Sequence, residues 1–491
     1  MMTRTPKCQH TAQLCRLIAT VALLVGCLGP SFAQEAPTAA DATEGMKKAA
    51  VYFRQNVAVH GGYVYEVSED LKTRFGEGEA LPSEIWVQPP GTPSVGMAFL
   101  QAWKATAEAE FLSGAQEAAR ALCHGQLESG GWTDRVNFDP KGKTTGHYRS
   151  GRGNPKGRDV STLDDDKTQS ALCFLMEMDQ ALEFKDAEIH DACVVALDSL
   201  LKAQFANGGF PQGWSGPVEP GPVVKASFPD YDWKTEGRHK DYWNYETLND
   251  GLAGTVTRTL HLAHQVYGEP RYKDSLLKFG DFLIRAQLPE PQPAWAQQYN
   301  HQLQPIWARR FEPPAVAGRE SEDAIETLLF LTEVTGEKRF LEPIPAALAW
   351  IRRSMLPDGQ IARFYELRTN TPLYFRREGD NYLLTYNDDD LPGHYSFRSR
   401  SRLQKLEQRY EEVSQGKVIE PKPQSLKLLQ KDAAAILGKL DDQGRWLSPT
   451  TGKKPNGSGT LWIRSDEFSK NVTLLSDYVT RLQQTTDLKS P

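Results

Sequence analysis

Apolar residues recur three or four positions apart along most of this chain. Leu172, Leu175 and Met176 do so, as do Val194, Leu197, Leu200 and Leu201, and then Leu252, Val256, Leu260 and Ala263. Such spacing puts the apolar side chains on one stripe, which predicts amphipathic helices. Alternating strand patterns are short and rare.

The helices are punctuated by a recurring turn. An apolar-periodic segment ends, a Gly turn follows, and an aromatic residue opens the next unit. The instances are His60-Gly-Gly-Tyr63, Gln126-Leu-Glu-Ser-Gly-Gly-Trp132 and Gln204-Phe-Ala-Asn-Gly-Gly-Phe210, then Asp358-Gly-Gln360 and Asp442-Gln-Gly-Arg-Trp446. Glycine suits the left-handed position that ends a helix. The second glycines lie 69 residues apart from Gly62 to Gly131 and 78 apart from Gly131 to Gly209. From Gly209 to Gly359 is about two such units, so one turn is expected near Ala286-Gln287, where Pro289, Pro291 and Pro293 stand instead of glycines. Each unit holds two helices and needs neighbours to cover its apolar face. The predicted fold is all-α: an α/α toroid of helical hairpins, one domain over 45–485, with long loops at its mouth. Two non-helical stretches break the rhythm, 216–243 as a long rim loop and 374–400, dense in Asp, Arg and Tyr.

The 491 residues carry a net charge of −6, and no basic excess points to nucleic acid. Arg4, Lys7 and Arg16 precede an apolar run, Leu17 to Gly26, too short to span a bilayer. Ser31-Phe32-Ala33 then offers a cleavage site, so 1–33 reads as a secretory signal and 34–44 as a flexible leader. Leu24-Val25-Gly26-Cys27 is also similar to a lipoprotein signal, which would acylate Cys27. The protein is therefore expected to be secreted or periplasmic, or else lipid-anchored to a bacterial membrane, and a monomer. Cys123, Cys173 and Cys193 lie in helical apolar stretches without CxxC spacing and read as small core residues.

Two acidic elements carry candidate chemistry. Asp164, Asp165 and Asp166 stand in Thr162-Leu-Asp-Asp-Asp-Lys-Thr168, and Asn249 and Asp250 in Thr247-Leu-Asn-Asp-Gly251. Each directly precedes an apolar-periodic helix. Taken locally, these residues are helix N-caps. Taken together, two acidic elements facing one cavity suit a shared divalent cation, and oxygen-only ligands favour Ca²⁺ over zinc. A third element is cationic: Arg309 and Arg310 beside Trp307, Arg363 beside Phe364 and Tyr365, and Arg376 and Arg377 beside Tyr374 and Phe375. Any one of these arginines reads as a surface ion pair. Three clusters with the same aromatic company suit carboxylate recognition and stacking on sugar rings.

These elements, with Ala203-Gln-Phe-Ala-Asn-Gly-Gly-Phe-Pro-Gln212, Ala294-Trp-Ala-Gln-Gln298, Pro305-Ile-Trp-Ala-Arg309, Ala362-Arg-Phe-Tyr-Glu366 and Arg377-Glu-Gly379, follow the order found in one family. Over about 125–395 the chain resembles the family 10 polysaccharide lyases, which are pectate lyases. The resemblance implies an α/α toroid, Ca²⁺ dependence and eliminative cleavage of polygalacturonate (pectin), an anionic polysaccharide. It implies that Asp164, Asp165, Asn249 and Asp250 hold the metal, that Arg309, Arg363 and Asp164 bind substrate, and that Arg377 is the catalytic base. The family usually has Asp-Asn where Asp164-Asp165 stand, a lysine shortly after Gly-Gly-Trp where Thr133-Asp134 stand, and a shorter 216–243 loop. Two competing expectations are a terpene cyclase-like toroid, suggested by the Gln-x-x-x-Gly-Gly-aromatic turns, and a non-catalytic carbohydrate-binding protein on the same scaffold.

Overall fold

The computed structural model describes residues 36–417, 423–450 and 461–487. The expected signal, its lipid-anchor alternative at Cys27 and the first part of the leader fall outside them. Twelve α-helices are found among the described residues. They are α1 (Ala39–Tyr52), α2 (Thr92–Thr106), α3 (Ala109–Gly125), α4 (Lys167–Ala181), α5 (Ala187–Lys202), α6 (Leu252–Tyr267), α7 (Pro270–Ala286), α8 (Gly318–Thr335), α9 (Ile344–Ser354), α10 (Leu403–Ser414), α11 (Leu426–Leu437) and α12 (Ser465–Asp487). One expectation needs correcting. Helix begins at Ala39, inside the stretch 34–44 read as a flexible leader, because Thr38 and Asp41 form a reciprocal capping box that satisfies the first free N–H groups.

The helices pair as hairpins, α2 with α3, α4 with α5, α6 with α7, α8 with α9 and α11 with α12. A second set of contacts links the hairpins: α12 to α2, α2 to α4, α4 to α6, α6 to α8, and α8 to α10. This is the α/α toroid. Burial separates its two layers. On α7, in the outer layer, the buried residues Tyr272, Leu276, Phe279 and Leu283 form one stripe. On α4, in the inner ring, residues on every side are buried, Lys167 and Gln169 included. The three cysteines are free and buried, as expected of core residues.

The recurring turn has one hydrogen-bond pattern. The Gln126 side-chain amide donates to the carbonyls of Gly130 (2.8 Å) and Ala192 (2.8 Å). Gln204 does the same with Gly208 (2.9 Å) and Ser275 (3.0 Å). Gln287 repeats it on Pro293 (3.0 Å) and Pro343 (2.9 Å), so the proline-rich stretch is the missing turn. Each glutamine ties its own turn to the next hairpin. Gly130 takes φ of 98°, where an L side chain is strained, and a Cβ there would meet Ser199.

The strands are short and gather at the loops. Ser161–Thr162 pairs antiparallel with Gly213–Trp214, joining the first acidic element to the loop after the Gly208 turn. The strand Phe364–Glu366 pairs with Ala315–Ala317 and with Pro372–Glu378, and the last forms an antiparallel hairpin with Asn381–Thr385. These sheets hold the segments bearing Arg309, Arg363 and Arg377 against one another.

Candidate active site

Both acidic elements fold into the same turn. In each, the threonine hydroxyl accepts from the backbone two residues on: Asp164 N–H to Thr162 (3.1 Å), and Asn249 N–H to Thr247 (3.2 Å). A short 3₁₀ turn follows, and the next residues enter the left-handed region. Asp165 and Asp166 have φ of 48° and 61°, and Asp250 and Gly251 have φ of 51° and 72°. Helices α4 and α6 then begin with no side-chain cap. The carboxylates are therefore not N-caps. Non-glycine residues in the left-handed region are costly, and strain of this kind concentrates at functional sites.

The two turns touch, and they bring one carboxylate oxygen from each of Asp164, Asp165 and Asp250 within 4.8 Å of one another. Asp164 is the best compensated. Its oxygens accept from the Lys167 ammonium (2.7 Å) and the Gln212 amide (2.6 Å). Burial alone would raise its pKa, but these partners hold it below the usual carboxylate value. Asp165 lies 3.7 Å from Lys167 and accepts weakly from Gln88 (3.3 Å), and burial with the Asp164 charge raises it. Burial and the two neighbouring carboxylates push Asp250 up to about 8, against the opposing pull of Arg309.

Asn249 has partners of its own beside the three carboxylates. Its side-chain oxygen accepts from Gln297 and lies 3.5 Å from Arg363. That places it one step back, among groups that order the arginines.

Arg309 sits beside the cluster, 3.7 Å from Asp250. Glu312, nearly fully buried, grips it from two sides at 2.8 and 2.6 Å and raises its pKa despite partial burial. Tyr395 donates to the same Glu312 (3.1 Å), and Gln297 does too (3.1 Å). Arg363 is buried and paired with buried Glu320, with its guanidinium 4.9 Å from the Tyr395 ring. Arg363 Nε and Glu320 Oε2 are buried and have no hydrogen-bond partner among the described residues.

Arg377 is elsewhere. It is exposed on the 372–385 hairpin, donates to the Gly379 carbonyl (2.8 Å) and faces Asp380 at 3.7 Å. Among the described residues the hairpin meets the neighbourhood of Arg309 through rings and through Arg310, which donates to the Asp380 carbonyl at 3.5 Å. Tyr382 packs on Phe311, whose ring lies 5.3 Å from the Arg309 guanidinium. The structure thus gathers Asp164, Asp165, Asp250 and Arg309, sets Asn249 and Arg363 just behind them, and leaves Arg377 at the rim.

An open groove of about 390 Å³ reaches the cluster at Asp164 and is lined among others by Gln212, Arg309, Tyr242, Trp243 and Arg158. Anionic and cationic groups meet in it. The chemistry such a groove suits is recognition of a sugar acid by its carboxylate, with aromatic faces for the ring.

Residues 126–361 match the model of the pectic acid lyase family. This chain is a polysaccharide lyase. Solved structures resembling the lyase include a family 10 polysaccharide lyase from Cellvibrio cellulosa, at 19% identity over 66% of this chain and 97% of that one, with a TM-score of 0.45. An aspartate-to-alanine mutant of that enzyme in complex with trigalacturonic acid matches at 18% identity, over 66% of this chain and 98% of that one, also at 0.45. A cellobiose 2-epimerase from Bacillus thermoamylovorans matches at 13% identity over 90% of this chain and 100% of that one, at 0.44. No curated protein matches the chain. The family match sets aside the terpene cyclase expectation.

Several residues of the site escaped the sequence reading. Lys167 and Glu312 stand inside the matched motifs, but as partners of Asp164 and Arg309 they carried no assigned role. Gln88, Gln297 and Tyr395 come from distant segments, and nothing local marks them.

Proposed function

We propose that the chain is a Ca²⁺-dependent pectate lyase that cleaves polygalacturonate by β-elimination. The observation that carries this is the convergence of three carboxylates beside Arg309. Oxygens held within 4.8 Å of one another fit a hard cation, whose own oxygen ligands lie at most about 5 Å apart. Burial, and with it the adjacent Asp164 and Asp165 charges, raises the pKa of Asp250 against the pull of Arg309, which marks a crowded acidic site that a cation would relieve. Asp164, Asp165 and Asp250 would hold the ion. Bound there, Ca²⁺ would neutralise the uronate carboxylate and favour the charge that develops beside it.

The elimination breaks the C5–H and C4–O4 bonds and leaves a C4=C5 double bond. The C5 proton goes to a base, and the departing oxygen takes one from solvent. Arg309 is the arginine the geometry supports at this point, being beside the carboxylates, whereas Arg377 has its guanidinium turned back on its own hairpin. Glu312 favours the charged form of Arg309, so proton acceptance requires loss of that compensation, and turnover should rise with pH. Arg363 lies 3.5 Å from Asn249 and beneath the Tyr395 ring, and so orders the groups behind the carboxylates. The charged segment before Leu17 and the cleavage site at Ala33 support export of the enzyme to where such polymers lie.

The test is absorbance of unsaturated uronate product from polygalacturonate, with Ca²⁺ and with chelator, beside Asp250→Ala. Product abolished by chelator and by the substitution is expected. Product unaffected by chelator would overturn the metal. Binding without any product would leave the non-catalytic carbohydrate-binding alternative.

A further inference from the structure

Arg158 is a groove cation without an ion pair among the described residues. Its side chain forms no hydrogen bond or ion pair among the described residues, yet it lines the same groove as Asp164 and Arg309. The other cations near the carboxylates are committed: Lys167 to Asp164, Arg309 to Glu312, and Arg363 to Glu320. The same groove is lined by Trp243, a large aromatic side chain that is 37% exposed. It is held edge-on against Tyr242 with ring centroids 5.2 Å apart. An exposed indole fixed by a neighbour offers a flat apolar face, as the ring of a sugar requires.

A polyuronate carries one carboxylate on every sugar, so clamping one residue at Asp250 and Arg309 leaves the next carboxylate in the groove without a partner. We propose that Arg158 and Trp243 form a second uronate subsite, the guanidinium taking the carboxylate of a neighbouring sugar and the indole its ring. This deepens the lyase reading and rests on it. It also gives the loops a role. Arg158 belongs to the loop before the first acidic turn and Trp243 to the end of the 216–243 rim loop, so the two loops together would set how long a chain the groove grips.

The test uses the full chain with hexagalacturonate and Ca²⁺, reading both steady-state kinetics and calorimetric binding. Arg158→Ala is expected to raise KM and Kd about tenfold with kcat within about twofold, as loss of one charge-assisted contact does. Trp243→Ala should act alike, and Arg158→Lys should recover part of the loss. Arg152→Ala, which removes an exposed arginine outside the groove, should change neither constant. Unchanged KM and Kd in Arg158→Ala would overturn the subsite and leave the lyase intact. So would an Arg152→Ala loss equal to that of Arg158→Ala, since that marks general charge attraction. The binding arm decides the subsite even should no product form. A wild-type protein that neither binds nor cleaves the hexamer overturns the lyase reading, and the subsite with it.

Discussion

Asp165 and Asp250 occupy the same place in two copies of one turn. Each follows Thr-Leu and one further residue, each takes a left-handed φ near 50°, and each stands one turn before an inner helix of the ring. The shared backbone aims both carboxylates at the space between the helix starts. Folding therefore forces like charges together, and the chain carries that cost until a cation arrives.

Stability without metal should accordingly fall as pH rises. Asp250 is raised from its ordinary value near 3.8 to about 8. A carboxyl whose folded pKa exceeds its unfolded one contributes fully below pH 4 and loses that contribution as pH climbs through 8. In chelator, the melting temperature attributable to this group should decline between pH 4 and 8. Asp250→Asn should flatten that decline, and Ca²⁺ should restore stability most at the alkaline end. Parallel pH curves for wild type and Asp250→Asn would contradict it.

Lys167 is a resident cation in the same cluster. Its ammonium lies 2.7 Å from Asp164 and 3.7 Å from Asp165, and it is nearly fully buried. Burial would lower its pKa, but the aspartates raise it, so it stays charged. A charge so close competes with a divalent ion. Lys167→Met should tighten Ca²⁺ binding by roughly tenfold while lowering the metal-free melting temperature. Calorimetry and thermal denaturation read the two effects separately. Ca²⁺ affinity that stays constant or weakens would show that the lysine supports the ion rather than opposing it.

Arg309 and Arg377 are separable by substitution. Arg309 touches the cluster, and its loss should reduce turnover by about 10²–10⁴-fold, the range of a lost proton acceptor. Arg377 is exposed on its hairpin, and Arg377→Ala should act mainly through KM. Turnover should rise with pH in wild type, and that slope should disappear in residual Arg309→Ala activity. The reverse ranking of the two variants would return the base to Arg377.

Much of this site was legible in the sequence, and the reasons differ by residue. The two acidic turns were legible because Thr-Leu-x-Asp repeats before two helices, and local sequence decides a turn. The proline-rich turn at Gln287 was legible from spacing alone, since the ring needs a hairpin there and its glutamine makes the expected two bonds. The place of Arg377 was not, because motif order gives sequence position and not distance. Asn249 was grouped with the carboxylates by its neighbour Asp250, yet Gln297 and Arg363, both from distant segments, draw its side chain the other way. Partners brought by tertiary packing leave no local mark.

The Arg363–Glu320 pair offers a last test, because it separates holding the fold from holding the substrate. Both side chains are buried and face each other, with Arg363 Nε and Glu320 Oε2 unpartnered. Removing one member leaves an uncompensated charge in the interior, which costs about 3–5 kcal/mol. Arg363→Met should therefore lower the urea midpoint strongly, and Arg363→Met with Glu320→Gln should recover most of that loss, because no bare charge remains. Activity should not follow the recovery. A double variant that folds well and still has a raised KM assigns Arg363 to the substrate, while one that regains wild-type KM makes the pair purely structural.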